Sequence, residues 1–410
     1  MAVSRRLWIL ASCNALLAAG YAFSMPFFAI YLASAYDLPL SGIGAFLSFS
    51  MLSTAVSLAC GGEISDQIGR KKMMLLAVFS RAFSVLGISA AIYFHVHYLW
   101  IFALHLLMGL TGNLFTPAAD AWIADNVEPR RRVAAFGRMR IGINLGWALG
   151  PMAGGFLTAQ SYPLAFAVSG VTYIITGLIV LYAIDDARGQ VLRSANFRDM
   201  LSELKNRRFA AYCFYAFLLG IVMAQLVVGI SLFAMKYRGF SQSGIGLLFS
   251  VNGLIVVVLQ HPAVLFLERF RITSGVLAGC LLYAAGYVIV GYGAVYGAML
   301  AGVVIFSLGE IAVSPGLSAL AANMAPPRHK GRYLGMQGVM RQAGGALGVF
   351  LGGTGLEYIT PYWLEGMWVL VGVIALVSGL GFHSLRHRLA MLENGMTGKN
   401  SVPEPPPELN

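Results

Sequence analysis

Apolar residues in this chain gather into a succession of blocks, and the length of those blocks fixes most of what the chain can become. A block of about twenty residues wound as an α-helix spans roughly 30 Å of hydrocarbon. Such blocks recur along the whole chain, near residues 7–34, 41–62, 72–94, 98–122, 136–160, 163–184, 210–236, 242–267, 273–295, 297–323, 332–355 and 362–385. Only 11% of residues are charged and 58% are hydrophobic. A soluble domain carries about a quarter charged residues. Membrane β-barrels alternate apolar and polar residues within short segments, and no such alternation runs through this chain. The expected fold class is all-α integral membrane, with twelve transmembrane helices in a lipid bilayer.

The net charge of +11 is a matter of placement. Counted by loop, 22 of the 28 basic residues fall on one side: Arg5 and Arg6, Arg70 to Lys72, Arg130 to Arg132, six from Arg188 to Arg208, Arg269 and Arg271, Arg328, Lys330 and Arg332, and three after Leu385. Lys236 and Arg238 fall on the other, and Arg81, Arg138, Arg140 and Arg341 lie in spans or at their starts. Basic loops resist translocation, so this asymmetry sets both termini in the cytoplasm. It speaks for topology and against nucleic acid as a partner. No Asn-x-Ser/Thr sequence occurs, in keeping with a bacterial inner membrane.

Cys13, Cys60, Cys213 and Cys280 sit singly in apolar runs, so neither a metal site nor a disulfide framework is expected. Leu10-Ala11-Ser12-Cys13 has the look of a lipoprotein cleavage box, but the apolar stretch before it is too short for a signal peptide. No P-loop and no nucleophile–base arrangement occurs. An enzyme, an ATP-driven pump and a bound cofactor are all unexpected.

The chain repeats. An offset of 198 residues carries Pro117 to Pro315, Ala121 to Ala319, Pro129-Arg130 to Pro327-Arg328, Gly137 to Gly335, Gly146 to Gly344, Gly150 to Gly348, and Gly154-Gly155 to Gly352-Gly353. Earlier in each half, an offset of 202 carries Ser41-Gly42-Ile43-Gly44 to Ser243-Gly244-Ile245-Gly246. Two parallel six-helix units with a site between them are the transporter layout this implies. The expected division is an N-terminal bundle over 1–184, a cytoplasmic linker over 185–208 with a short surface helix near 197–205, and a C-terminal bundle over 209–388. A polar, Pro-rich tail over 389–410 is expected to be disordered. Helix breakers mark spans one (Gly20, Pro26), four (Gly109, Gly112, Pro117), seven (Gly220, Gly229) and ten (Gly302, Gly309, Pro315). Backbone groups freed there need protein or water rather than lipid.

Between the second and third spans lies Gly62-Glu63-Ile64-Ser65-Asp66-Gln67-Ile68-Gly69-Arg70-Lys71-Lys72, read as a tight hairpin with Asp66 and Arg70 spaced as neighbours on one helix face. It resembles the loop signature G-x-x-x-D-x-x-G-R-K/R of the major facilitator superfamily at every defined position. The resemblance implies two pseudo-twofold-related six-helix bundles. It also implies a cytoplasmic gate of Gly62, Asp66, Gly69, Arg70 and Asp125, in which Asp125 is similar to the signature's acidic partner. In span five, Gly137, Gly146, Gly150-Pro151 and Gly154-Gly155 resemble the g-x8-G-x3-G-P-x2-G-G motif of the twelve-span drug:proton antiporter family. There the glycine stripe packs tightly and seals the outer end of the path. Span one matches that family in part, through Gly20 and Pro26. Span four departs from it, with His105 where arginine is usual and Met108 where glutamine is usual.

An ionisable residue at the middle of a span is costly and is a functional candidate by default. Glu310, mid-way along span ten, is placed to take up and release a proton as its surroundings change; the plainer reading pairs it with Arg341. His105 is a second titratable candidate, or a neutral interface histidine. Asp120, His261 and Arg81 read as structural. Tyr21, Asn113, Asn144, Gln225, Asn252 and Gln342 are candidates for the polar lining of a cavity, with bonding between helices as the alternative. The expected function is alternating-access, proton-coupled efflux of small amphipathic compounds by a monomer, driven by the proton gradient. The alternatives are symport or facilitated uptake of a metabolite, and a non-transporting receptor or lipid flippase on the same fold.

Overall fold

The structure, a computed structural model, describes residues 2–36, 38–127, 129–185, 197–326 and 329–396, with side chains throughout these except at 2–4, 58–67, 124, 129–134, 197 and 198. The described residues are helical almost from end to end. The N-terminal half holds α1 (Ala2–Ala35), α2 (Leu40–Ile68), α3 (Arg70–Tyr93), α4 (Tyr98–Thr111), α5 (Phe115–Asn126), α6 (Pro129–Gln160) and α7 (Tyr162–Ala183). A short α8 (Phe197–Ser202) precedes α9 (Arg207–Ala224), α10 (Ile230–Lys236), α11 (Gln242–Leu267), α12 (Ile272–Tyr292), α13 (Tyr296–Met324), α14 (Lys330–Tyr358) and α15 (Gly366–Leu385).

Among the described residues, ten spans are long and apolar enough to cross a membrane, α4–α5 and α9–α10 each counting as one. The two long helices outside that set, α6 and α14, have 32 and 29 residues and lie in the fifth and eleventh places. Their glycines and arginines lower their apolarity. Those glycines are what let them pack, because lipid tails provide no hydrophobic drive between helices and close approach must supply the contact.

The two halves use one packing scheme. In each, the first span lies on the fifth (α1 on α6, α9 on α14) and the third on the sixth (α3 on α7, α12 on α15). The third also meets the fourth (α3 on α4, α12 on α13), and the second meets the fourth (α2 on α4, α11 on α13). Across the middle, α2 packs on α14 and α11 on α6. This is the twofold-related pair of bundles that the repeat implies.

The glycine register shows why the repeat is so exact there. A Cβ added at Gly155 would lie 2.6 Å from the Gln242 carbonyl oxygen, and one at Gly353 would lie 2.2 Å from that of Leu40. Gly246 meets the Pro151 carbonyl in the same way at 2.3 Å, and Gly44 meets that of Val349 at 2.9 Å. Each contact maps onto its partner by moving one helix 198 residues and the other 202. The two sequence offsets thus describe the two sides of one interface, formed twice.

Three local expectations change. The stretch from Gly62 is no hairpin loop: α2 continues to Ile68, and one residue, Gly69, turns the chain with φ 96°. That left-handed conformation is open to glycine and strained for other residues. Asp66 and Arg70 therefore belong to different helices rather than to one face. Of the four spans marked by helix-breaking residues, two are interrupted: a 3-10 turn at Gly112–Leu114 divides α4 from α5, and a π turn at Gln225–Gly229 divides α9 from α10. Pro26 and Pro315 sit inside continuous helices.

The tail differs most. Residues 389–396 fold back on the second half, where Asn394 is 2% exposed. Its Oδ1 accepts from the Thr273 amide at 3.0 Å, its carbonyl from the Ile272 amide at 3.1 Å, and its Nδ2 donates to Thr273 Oγ1 at 3.0 Å. These contacts satisfy amides that every helix start leaves open. Composition alone points to disorder because one buried asparagine is invisible in an average. The remaining tail, 397–410, lies outside the described residues.

The expected surface helix near 197–205 is present as α8 and a 3-10 turn. It is moored to the second half by Arg332, whose guanidinium lies 3.1 Å from Asp199 and 3.5 Å from Glu203.

Candidate functional site

The halves touch along a seam that starts at the face away from the chain termini. There the Ser41 amide donates to Glu357 at 2.7 Å, Gln242 Nε2 to Tyr162 Oη at 2.6 Å, and Ser231 Oγ to the Pro26 carbonyl at 3.0 Å. Pro151 has no N–H, so the Trp147 carbonyl one turn earlier lacks its helical donor. Gly253 of α11 comes against that carbonyl, its added Cβ 2.7 Å away, and the Met152 amide donates to Ser250 Oγ at 2.9 Å. The last polar contact is at mid-depth, from Gln342 Nε2 to the Met51 carbonyl at 3.4 Å. Nearer the termini, no hydrogen bond or ion pair joins the halves among the described residues. Cβ atoms added at Gly137 and Gly338 there would meet nothing within 4 Å.

Glu310 lies beside this parting, half-buried at the middle of α13. Asn252 Nδ2 of α11 donates to its Oε2 at 2.9 Å and also to Ser307 Oγ at 2.9 Å. No cation lies within ion-pair distance of Glu310 among the described residues. The expected partner, Arg341, is exposed on α14 and is not paired with it. The carboxyl is therefore held by an amide rather than by a cation.

His105 is 6% exposed and packed between Phe28, at 4.8 Å between centroids, and Phe46, at 5.8 Å. It has no acidic partner among the described residues, and the plainer reading, an interface histidine, fits this setting.

The uncharged candidates separate. Tyr21 packs on Trp147 at 5.8 Å between ring centroids. Asn252 holds Glu310, Gln342 bridges the seam to Met51, and Asn113 donates to Thr54 Oγ1 at 3.0 Å within the first half. Asn144 is half-buried in α6. Gln225 corrects its expected role: it is 1% exposed, and its Nε2 donates to the Gly348 carbonyl at 2.6 Å. It joins α9 to α14 and lines nothing, because the π turn drives its side chain onto the glycines of α14.

The loop signature also resolves. Arg70 Nε lies 3.2 Å from Asp125, with the side chains 8% and 10% exposed, so the pair fastens α3 to α5 within one half. The side chains of Gly62 and Asp66 fall outside those described. In the span-five motif, Gly146, Gly150 and Gly154 lie against the α1 backbone, whereas Gly155 and Pro151 meet α11. Gly137 takes no part in either contact; Gly142, which the motif omits, lies on the stripe, its added Cβ 2.1 Å from the Ala11 carbonyl.

One cluster is not foreseen from sequence. Arg81 of α3, which reads there as structural, is 8% exposed at mid-depth. Its Nη2 donates to Asn113 Oδ1 at 2.8 Å, which links it through Asn113 Nδ2 to Thr54. The guanidinium carbon is 5.5 Å from the Tyr173 ring centroid. The rule that singles out Glu310, an ionisable side chain far from either surface, applies equally to Arg81.

Residues 10–244 and 213–403 match the Major Facilitator Superfamily. The chain is 27% identical over 387 residues to the uncharacterized MFS-type transporter YqjV of Bacillus subtilis, covering 90% of each chain. It is 24% identical over 337 residues to the multidrug resistance protein MdtH of Shigella boydii, covering 80% of this chain and 82% of that one. Among solved structures, a POT family transporter in complex with a thioalcohol-conjugated peptide superposes with a TM-score of 0.79 at 14% identity, covering 94% of this chain and 96% of that one. The nucleoside transporter NupG superposes with a TM-score of 0.77 at 14% identity, covering 92% and 98%. With this match, the twofold packing of its bundles and the seam between them, the chain belongs to the Major Facilitator Superfamily and is a multi-pass membrane transporter rather than an enzyme.

Proposed function

We propose that this chain exports small amphipathic compounds in exchange for protons, by alternating access, with Glu310 as the coupling group. The observation that carries the reading is the setting of that carboxyl: mid-depth, bonded to Asn252, without a paired cation, and beside the parting between the halves. An ion cut off from water costs several kcal/mol, a cost that taking up a proton removes. When the parting closes, a proton or a bound substrate on Glu310 meets that need, and exchange follows if the two compete for it. MdtH, named a multidrug resistance protein, supports drug-like compounds as the class.

With both termini in the cytoplasm, as the basic loops imply, the parting faces inward and the closed seam faces outward. The described shape is then the form that collects substrate from the cell. Each half moves as a unit, and the seam along α2–α14 and α6–α11 breaks at its outer end as the inner end closes.

The test is transport by the purified full chain in proteoliposomes under an imposed pH gradient, against dyes, sugars and amino acids. The expected result is accumulation of amphipathic dyes against proton flow, with no response to sugars or amino acids. Uptake of a sugar or amino acid in the direction of proton flow would replace this reading with symport. Ligand binding without flux would replace it with a receptor.

A further inference from the structure

The two halves place unlike residues at one and the same spot. The offset of 202 that aligns the starts of α3 and α12 carries Arg81 to Tyr283, and the offset of 198 carries Gly112 to Glu310. Contacts agree with this register. Ser80 Oγ bonds Thr111 Oγ1 in the first half, and their counterparts Leu282 and Gly309 meet in the second, with an added Cβ at Gly309 3.2 Å from Leu282. The first half thus carries a cation on its third span facing a glycine, and the second a tyrosine facing a carboxylate.

A neutral tyrosine fills the equivalent place in α12, so the fold does not require charge there. A buried cation costs several kcal/mol unless it is paired. Arg81 has no carboxylate within ion-pair distance among the described residues. One amide oxygen and one ring face meet it, and its Nε has no acceptor. The hydroxyl of Tyr173, a donor as well as an acceptor, lies beside it, and its proton has no acceptor among the described residues.

Room for the guanidinium is built in as well. An added Cβ at Gly112 would lie 2.7 Å from Arg81 Nε, so glycine there leaves the guanidinium its room. Thr54, the outer member of the chain of bonds, is half-buried and one turn beyond Met51, where the seam ends and the halves part. Two more cations, Arg140 and Arg341, are exposed on α6 and α14. An acidic ligand entering the parting is drawn in by that charge.

We propose that Arg81, with Tyr173 and the Asn113–Thr54 pair behind it, binds the acidic group of the substrate, so that amphipathic organic acids are a substrate class of this protein. An oxygen of the ligand accepts from Arg81 Nε and Tyr173 Oη, while Asn113 holds the guanidinium in register. The idea rests on the transport reading but not on coupling through Glu310.

The test is calorimetric titration of the full chain in detergent, in a buffer without added halide. The probes are 2-naphthoate, its uncharged analogue 2-naphthamide, and sodium chloride. The expected result is saturable binding of naphthoate, with the amide about tenfold weaker or more, as loss of a charged hydrogen bond requires. Arg81→Lys keeps the charge and retains weakened naphthoate binding, and Arg81→Gln abolishes it. Should Arg81→Gln not fold, Tyr173→Phe removes only the hydroxyl and keeps the ring beside Arg81. That variant is expected to weaken naphthoate about threefold or more and to leave the amide unchanged. Equal binding of acid and amide, or naphthoate affinity unaltered in Arg81→Gln or Tyr173→Phe, overturns the proposal. Chloride binding that naphthoate does not displace also overturns it, marking an inorganic anion site. Because no gradient is involved, failure here leaves dye export untouched, and failure of export leaves this binding standing.

Discussion

The amide of Ser41, at the start of α2, donates to the carboxylate of Glu357, at the end of α14, at 2.7 Å, and so bolts one half of the transporter to the other. It lies at the end of the seam farthest from the parting, where leverage on the two bundles is greatest. A hydrogen bond to a charged group contributes about 1.5–3 kcal/mol. Glu357→Ala is expected to favour the form open at that face by about ten- to a hundredfold. Disulfide formation between cysteines placed at 162 and 242, in a background without native cysteines, measures the closed fraction, and its rate should fall accordingly. An unchanged rate would remove Glu357 from the latch.

Packing at the seam gives a second expectation. Gly353→Ala and Gly246→Ala place a methyl group 2.2 Å and 2.3 Å from backbone carbonyls that belong to the other half. Neither carbonyl has a flexible side chain to move aside, so the halves must separate. Both variants should slow the same cross-link strongly. Gly338→Ala and Gly137→Ala, where nothing stands within 4 Å, should leave it unchanged.

The folded-back tail supplies a third. Asn394→Ala removes side-chain bonds at the start of α12, a loss comparable to that of a helix cap, about 1 kcal/mol. Thermal unfolding in detergent should move down by a few degrees, and a chain ending at residue 388 should fall at least as far. If both match the full chain, the contact contributes nothing to stability.

The Arg70–Asp125 pair is almost fully buried, at 8% and 10% exposure. Removing Arg70 strands the Asp125 carboxylate, at a cost of about 3–5 kcal/mol. Arg70→Ala should therefore lower thermal stability more than Arg70→Ala combined with Asp125→Ala. Purely additive losses would show that the two residues act independently.

Much of this architecture is legible in the chain itself. Span positions follow from apolar length, and the twofold relation follows from a glycine register that holds because backbone-to-backbone contact leaves no room for side chains. What escapes depends on single residues in three dimensions. Gly69 turns the chain alone, and nothing local announces that α2 runs on to it. Asn394 acts on amides 121 and 122 residues away, at Thr273 and Ile272. Gln225 resembles any polar residue within a span until the π turn buries it against α14. Glu310 is visible by its charge and depth, but its partner is not: Arg341 has the right charge at the right depth, yet Asn252 makes the bond. Arg81 is equally visible, and only its comparison with Tyr283 separates a binding group from a packing one.

Glu310 is best tested by its own replacement. In everted proteoliposomes loaded at low pH, the unaltered chain should accumulate dye and alkalinise the lumen as protons leave. Glu310→Gln should abolish both gradient-driven accumulation and dye-evoked proton movement while still exchanging labelled for unlabelled dye at equal concentrations. Accumulation and proton release by Glu310→Gln equal to those of the unaltered chain would contradict coupling at this carboxyl.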